Sequence, residues 1–72
     1  MANRKDLLYE LEIACAILKT SIHARANRWE VSHTHVRNVA RGETTSAPIR
    51  RRIRETIAEA RERVPFRVPE NP

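Results

Sequence analysis

Thr34, Arg37, Asn38 and Arg41 follow one another at spacings of three, one and three. On a helix, at about 100° per residue, these four side chains fall on one side. Arginine can grip O6 and N7 of guanine with two parallel hydrogen bonds. Asparagine can pair in the same bidentate way with N6 and N7 of adenine, and threonine can donate, accept or touch a thymine methyl. The opposite side of the same stretch carries Val36, Val39 and Ala40. A rod that hides apolar groups and offers such polar ones is what reading base edges demands. The alternative is a merely solvated polar face, and the cleanness of the apolar side weighs against it. His33 stands in the first turn of this rod, the part that normally points at the groove floor.

Four helical stretches are expected to carry these residues. The first runs from about Arg4 to Lys19, with Leu7, Leu11, Ala14 and Leu18 on one face, widened by Leu8 and Cys15. The second spans about Ser21 to Trp29, capped by Thr20 or Ser21, with Ile22, Ala26 and Trp29 inward. The third spans about His33 to Arg41, capped by Ser32 and ended by Gly42, the only glycine in the chain. The fourth begins after Ser46 with Pro48 in its first turn, where the missing N–H costs nothing. Ile49, Ile53, Ile57, Ala60 and Val64 mark its inner face, and Arg51/Glu55 and Glu59/Arg63 are i,i+4 pairs on its outer one. Pro65 stops it near Val64. The expectation is an all-α fold: a compact four-helix domain over residues 1–64 with a helix-turn-helix at about 21–41, then a short extended, proline-rich tail over 65–72.

Composition narrows the function. At 72 residues there is one domain at most, and a chain this short buries only about 60% of its unfolded surface. A deep substrate cavity is unexpected. Fourteen basic residues, twelve of them arginine, stand against nine acidic ones. The imbalance is concentrated: residues 19–54 hold nine basic and two acidic groups, while the segments on either side are each close to neutral. A basic middle rich in arginine points to a polyanion, since the planar guanidinium suits phosphate and guanine. Phosphate contacts are expected from Thr20 and Ser21 at the start of the second helix, from Ser32, and from Arg41, Thr44, Thr45 and Arg50 after the third. Such contacts position a protein on a duplex without reading its sequence. Three consecutive helical residues cannot face one backbone together, and Arg50 is favoured because Arg52 borders the acidic side with Glu55 and Glu59.

The stretch VSHTHVRNVARGETTSAPIRRRI resembles the lambda-repressor/Cro-type helix-turn-helix family. It shares a Val-Ser entry, a third helix with valines three apart, a glycine after it, a Ser/Thr-rich loop and a following helix with isoleucines four apart. Ala26, Val31, Val36 and Val39 supply the inward set: a small residue for close approach, a plug for the turn and two seats for the third helix. The resemblance covers about residues 20 to 57. It implies that His33, Thr34, Arg37 and Asn38 read bases in the major groove, with helix 33–41 as the recognition helix. There are two departures. Glu30 occupies a turn position that is usually glycine and is expected to alter the turn slightly, since left-handed geometry costs a non-glycine residue about 1 kcal/mol. Arg25 occupies a usually apolar position and is expected to lie along the stripe edge with its charge in solvent.

One module of this size covers too little DNA for tight specific binding, so a homodimer on a palindromic operator is expected. Val64, Phe66 and Val68 alternate as in a strand whose other register holds Pro65 and Pro69, and they are the expected dimerising residues. The competing possibility is that Phe66 covers its own domain. Other chemistry finds little footing. His33 and His35 point about 200° apart on a helix and cannot chelate together, Cys15 sits in an apolar stripe, and no glycine-rich phosphate loop exists. No metal, cofactor, membrane partner or catalytic role is expected, nor an export signal, which places the protein in the cytoplasm at the nucleoid. The leading expectation is a Cro-like transcriptional repressor of phage or plasmid type. A recombination accessory or directionality factor using the same module, and an antitoxin-type protein-interaction module, are the alternatives.

Overall fold

The computed structural model describes residues 7–66, which are all-helical: α1 Leu8–Ile17, α2 Ile22–Arg28, α3 His33–Arg41 and α4 Ala47–Arg63. α1 packs most extensively on α4, and α2 packs on α3, with α3 also against α1 and α4. Leu7, Leu11, Ala14, Cys15, Ile22, Ala26, Val36, Val39, Ala40, Ile49, Ile53, Ile57 and Ala60 form one core, with Leu18, Trp29 and Val31 partly buried against it. Each helix contributes one alanine that is at most 1% exposed: Ala14, Ala26, Ala40 and Ala60. A bare methyl at a crossing lets helix axes approach at the short end of their usual 8–10 Å range. Four short helices therefore close around a core with few large residues.

Serine starts three of the four helices. Ser21 Oγ accepts from the Ala24 N–H at 3.0 Å, Ser32 Oγ from the His35 N–H at 3.0 Å and Ser46 Oγ from the Ile49 N–H at 3.4 Å. Each satisfies a donor that the helix itself cannot use. α1 has no side-chain cap, and its cap residue Leu7 instead donates its N–H to the Ala40 carbonyl at 2.6 Å. That bond also uses one of the carbonyls left over at the end of α3. The part of the first helix expected before Leu7 lies outside the described residues.

The three connections share one device. After α1, Thr20 N–H reaches Cys15 O at 2.8 Å and Lys19 N–H reaches Ala16 O at 3.2 Å. After α2, Val31 N–H reaches Ala26 O at 3.0 Å and Glu30 N–H reaches Asn27 O at 3.1 Å. After α3, Glu43 N–H reaches Asn38 O at 2.9 Å and Gly42 N–H reaches Val39 O at 3.0 Å. These are paired 6→1 and 5→2 closures around a left-handed residue, with φ of 57° at Lys19, 61° at Glu30 and 83° at Gly42. Glu30 takes the same kind of left-handed closure that Gly42 takes, and the flanking bonds hold it there.

Three features of α4 stand apart from its sequence pattern. Val64 is 51% exposed rather than part of the inner stripe, because the helix ends at Arg63 and Val64 has extended backbone. Thr56 is buried among the isoleucines, its hydroxyl donating to Arg52 O at 2.8 Å. Of the two outer pairs, Glu59 and Arg63 meet at 3.8 Å, while Arg51 and Glu55 form no ion pair. Among the described residues, no helix is long and apolar enough to cross a membrane.

Candidate nucleic-acid interface

α3 turns Val36, Val39 and Ala40 fully into the core. The residues diametrically opposite are Thr34, Asn38 and Arg41, a single i, i+4, i+7 ridge. Thr34 and Arg41 are exposed and Asn38 is half-buried. Among the described residues none of these three side chains has a hydrogen bond or ion pair. Ser32 fixes the helix start, and Asn38 fixes the exit through its carbonyl, which accepts from both Glu43 N–H and, at 3.4 Å, Thr44 N–H. The exit leads into exposed Thr44 and Thr45, then to Ser46, whose carbonyl accepts from Arg50 N–H at 2.9 Å. Arg50 is half-buried in the first turn of α4.

His33 and Arg37 lie along one edge of α3, beside this ridge rather than on it. The His33 ring stacks on His23 of α2 with centroids 3.7 Å apart, and its Nδ1 is enclosed without a partner. Arg37 Nη1 donates to Glu12 Oε2 of α1 at 3.5 Å. Of the four residues assigned to base reading, two therefore sit openly on the outward ridge and two are engaged by the neighbouring helices. Arg41, placed among the phosphate contacts, shares the ridge with Thr34 and Asn38.

Arg25 is also engaged. Its side chain is only 16% exposed, its Nε is buried without a partner, and its Nη2 lies 4.0 Å from Glu59 of α4. The expectation that its charge lies in solvent is corrected: the guanidinium is drawn inward across α2 toward the carboxylate that Arg63 also uses. At the start of α2, Thr20 has already given its N–H to Cys15 O and Ser21 has turned its hydroxyl to Ala24 N–H. Thr20 is left with its side-chain hydroxyl for any phosphate. No family model, curated protein or solved structure matches this chain.

The electrostatics sort the cationic side chains into two groups. Arg25, Arg37, Arg61 and Arg63 each meet a carboxylate, Arg61 reaching Glu10 at 2.6 Å. Lys19, Arg28, Arg41, Arg50, Arg51, Arg52 and Arg54 meet none among the described residues. All of these unpaired cations come from the basic middle of the chain. In the first group Arg25, Arg37 and Arg61 reach carboxylates on other helices and Arg63 reaches one on its own helix; the second group keeps its charge uncompensated by any near carboxylate among the described residues.

Around the site, Phe66 is half-buried against the domain's own core, beneath the Arg61 guanidinium 5.0 Å from its ring centroid. Val64 is exposed, and Val68 lies outside the described residues. Burial pushes the Cys15 thiol above its ordinary value, with Arg25 pulling the other way and Glu12 adding to the rise. Sequence reasoning missed Glu12 and His23 as partners of the α3 edge. They stand twenty-five and ten residues from Arg37 and His33, and no local spacing reports such a contact.

Proposed function

We propose that this protein is a sequence-specific double-stranded DNA-binding regulator of transcription, in the manner of a Cro-like repressor. α3 enters the major groove, Thr34 and Asn38 meet base edges together with Arg37 and His33 at the helix margin, and Arg41, Thr44, Thr45 and Arg50 hold the flanking phosphates, with the Thr20 hydroxyl a further contact, while the hydroxyls of Ser21 and Ser32 stay with their helix caps. The observation that carries the reading is the ridge of Thr34, Asn38 and Arg41. It stands on the one side of α3 the core leaves free, unengaged by the protein and followed directly by unpaired cations.

A domain this small binds specifically as a twofold dimer on paired half-sites. Of the proposed dimerising set, Val64 is exposed and open to a partner chain and Phe66 packs against its own core, while Val68 lies outside the described residues. The test is selection of bound duplexes from a random pool at two salt concentrations. A recurring palindromic site whose affinity falls steeply with salt supports the reading. Retention of every sequence alike, or of none at low salt, sinks it.

A further inference from the structure

We propose that Glu12, a residue of α1 outside the α2–α3 unit, is a positioning residue that sets specificity: it holds the Arg37 guanidinium so that its free edge faces a guanine and discourages it from settling on phosphate. This rests on the reading of α3 as a base-reading helix.

The guanidinium is a planar fork with five donors. Glu12 Oε2 engages only Nη1, at 3.5 Å, and no other acceptor among the described residues takes a hydrogen bond from Arg37. The remaining donors stay available for a bidentate contact. Both side chains are at the surface, Arg37 at 32% and Glu12 at 50% exposure, so a duplex laid on α3 meets the pair and not the arginine alone. An exposed pair of this kind is too weak to lock the arginine against α1. It is strong enough to favour one direction for a long side chain, which lowers the cost of ordering it at a base.

The carboxylate acts a second way. It places a negative charge beside the duplex, which disfavours any position that does not return a compensating contact to Arg37. Arg41 and Arg50 have no such carboxylate and suit contacts that are indifferent to sequence. Arg37 is the arginine of α3 that has one, and the difference between Arg37 and Arg41 is what assigns them different work.

The experiment compares the selected duplex with one in which the guanine lost by Arg37→Ala is replaced, for the wild type, Glu12→Gln, Arg37→Ala and the double variant. Glu12→Gln is expected to reduce the preference for the intact duplex by about two- to fivefold, the range an exposed ion pair supplies. Binding to the replaced duplex should hold or tighten, and the thermal midpoint should not move. In the Arg37→Ala background, Glu12→Gln should change nothing further. Equal tightening on both duplexes would mean that Glu12 competes with DNA for Arg37, and would overturn the proposal. So would an unchanged preference, or an effect that persists without Arg37. A wild type that prefers no duplex at low salt removes the DNA-binding reading itself, whereas a wild type with a clear preference untouched by Glu12→Gln removes only the role of Glu12.

Discussion

The His33 imidazole lies on that of His23, with ring centroids 3.7 Å apart and planes 29° from parallel. Each belongs to the first turn of its helix, so the stack clamps the starts of α2 and α3 to one another. Offset aromatic pairs contribute about 0.5–1.5 kcal/mol beyond the area they bury. His33→Ala and His23→Ala should each lower the free energy of unfolding in urea by that order. The double variant should lose little more than either single one, because the two remove the same contact. Strictly additive losses would show that the rings touch without supporting each other.

Lys19 and Glu30 hold left-handed backbone at φ 57° and 61°, in the position that Gly42 fills without strain. Left-handed geometry costs a residue with a Cβ about 1–2 kcal/mol, partly offset by the entropy that glycine gives up on folding. Lys19→Gly and Glu30→Gly should each stabilise the domain by roughly 0.5–1 kcal/mol, and Gly42→Ala should destabilise it by about 1 kcal/mol or more. Urea midpoints at constant slope measure all three. A loss of stability in Glu30→Gly would mean that its side chain contributes something the backbone account omits.

What local pattern dictates was readable in advance, and what tertiary contact dictates was not. Serines before residues 22, 33 and 47 and the glycine after Arg41 marked helix ends to within a residue or two, because capping is a short-range hydrogen-bonding rule. The apolar spacing of α4 held as far as Ala60 and failed at Val64, where extended backbone ends the 100° rotation that placed it inward. Thr56 escaped a reading by polarity because its hydroxyl finds an acceptor one turn back and needs no water. The outward ridge of α3 was legible as an amphipathic pattern. Its edge was not: whether Arg37 and His33 stand free depends on Glu12 and His23, which arrive from other helices.

Cys15 is buried, and its thiol is held above its ordinary value chiefly by loss of hydration. The thiolate is the reactive form, so both access and ionisation protect it. A disulfide reagent at neutral pH should modify the native protein far more slowly than the urea-unfolded chain, at a rate set by opening of the α1 region. The sign for stability follows from the raised value. The thiol's contribution is fully present below its unfolded value, and is lost as the pH climbs from there through the elevated folded one. Rapid modification of the native protein at neutral pH would contradict the burial.

Asn38 and Arg50 separate reading from holding. Asn38 stands on the outward ridge with its side-chain amide unengaged, one turn from Thr34 and beside the exit of α3. An amide meeting adenine N6 and N7 discriminates against the wrong base by about 1–3 kcal/mol. Asn38→Ala should therefore relax one position of the selected site and leave the salt dependence nearly unchanged. Arg50 lies in the first turn of α4 beyond the Ser/Thr loop and has no carboxylate partner among the described residues. Arg50→Ala should weaken cognate and random duplexes by the same factor, and should reduce the slope of log affinity against log salt by about one. The contrast matters more than either number, because a polar surface that is merely solvated loses neither base preference nor salt slope, and a wholly electrostatic one loses only the slope. If Asn38→Ala weakens every sequence equally, α3 lies on phosphate rather than in the groove, and the base-reading assignment of its ridge fails.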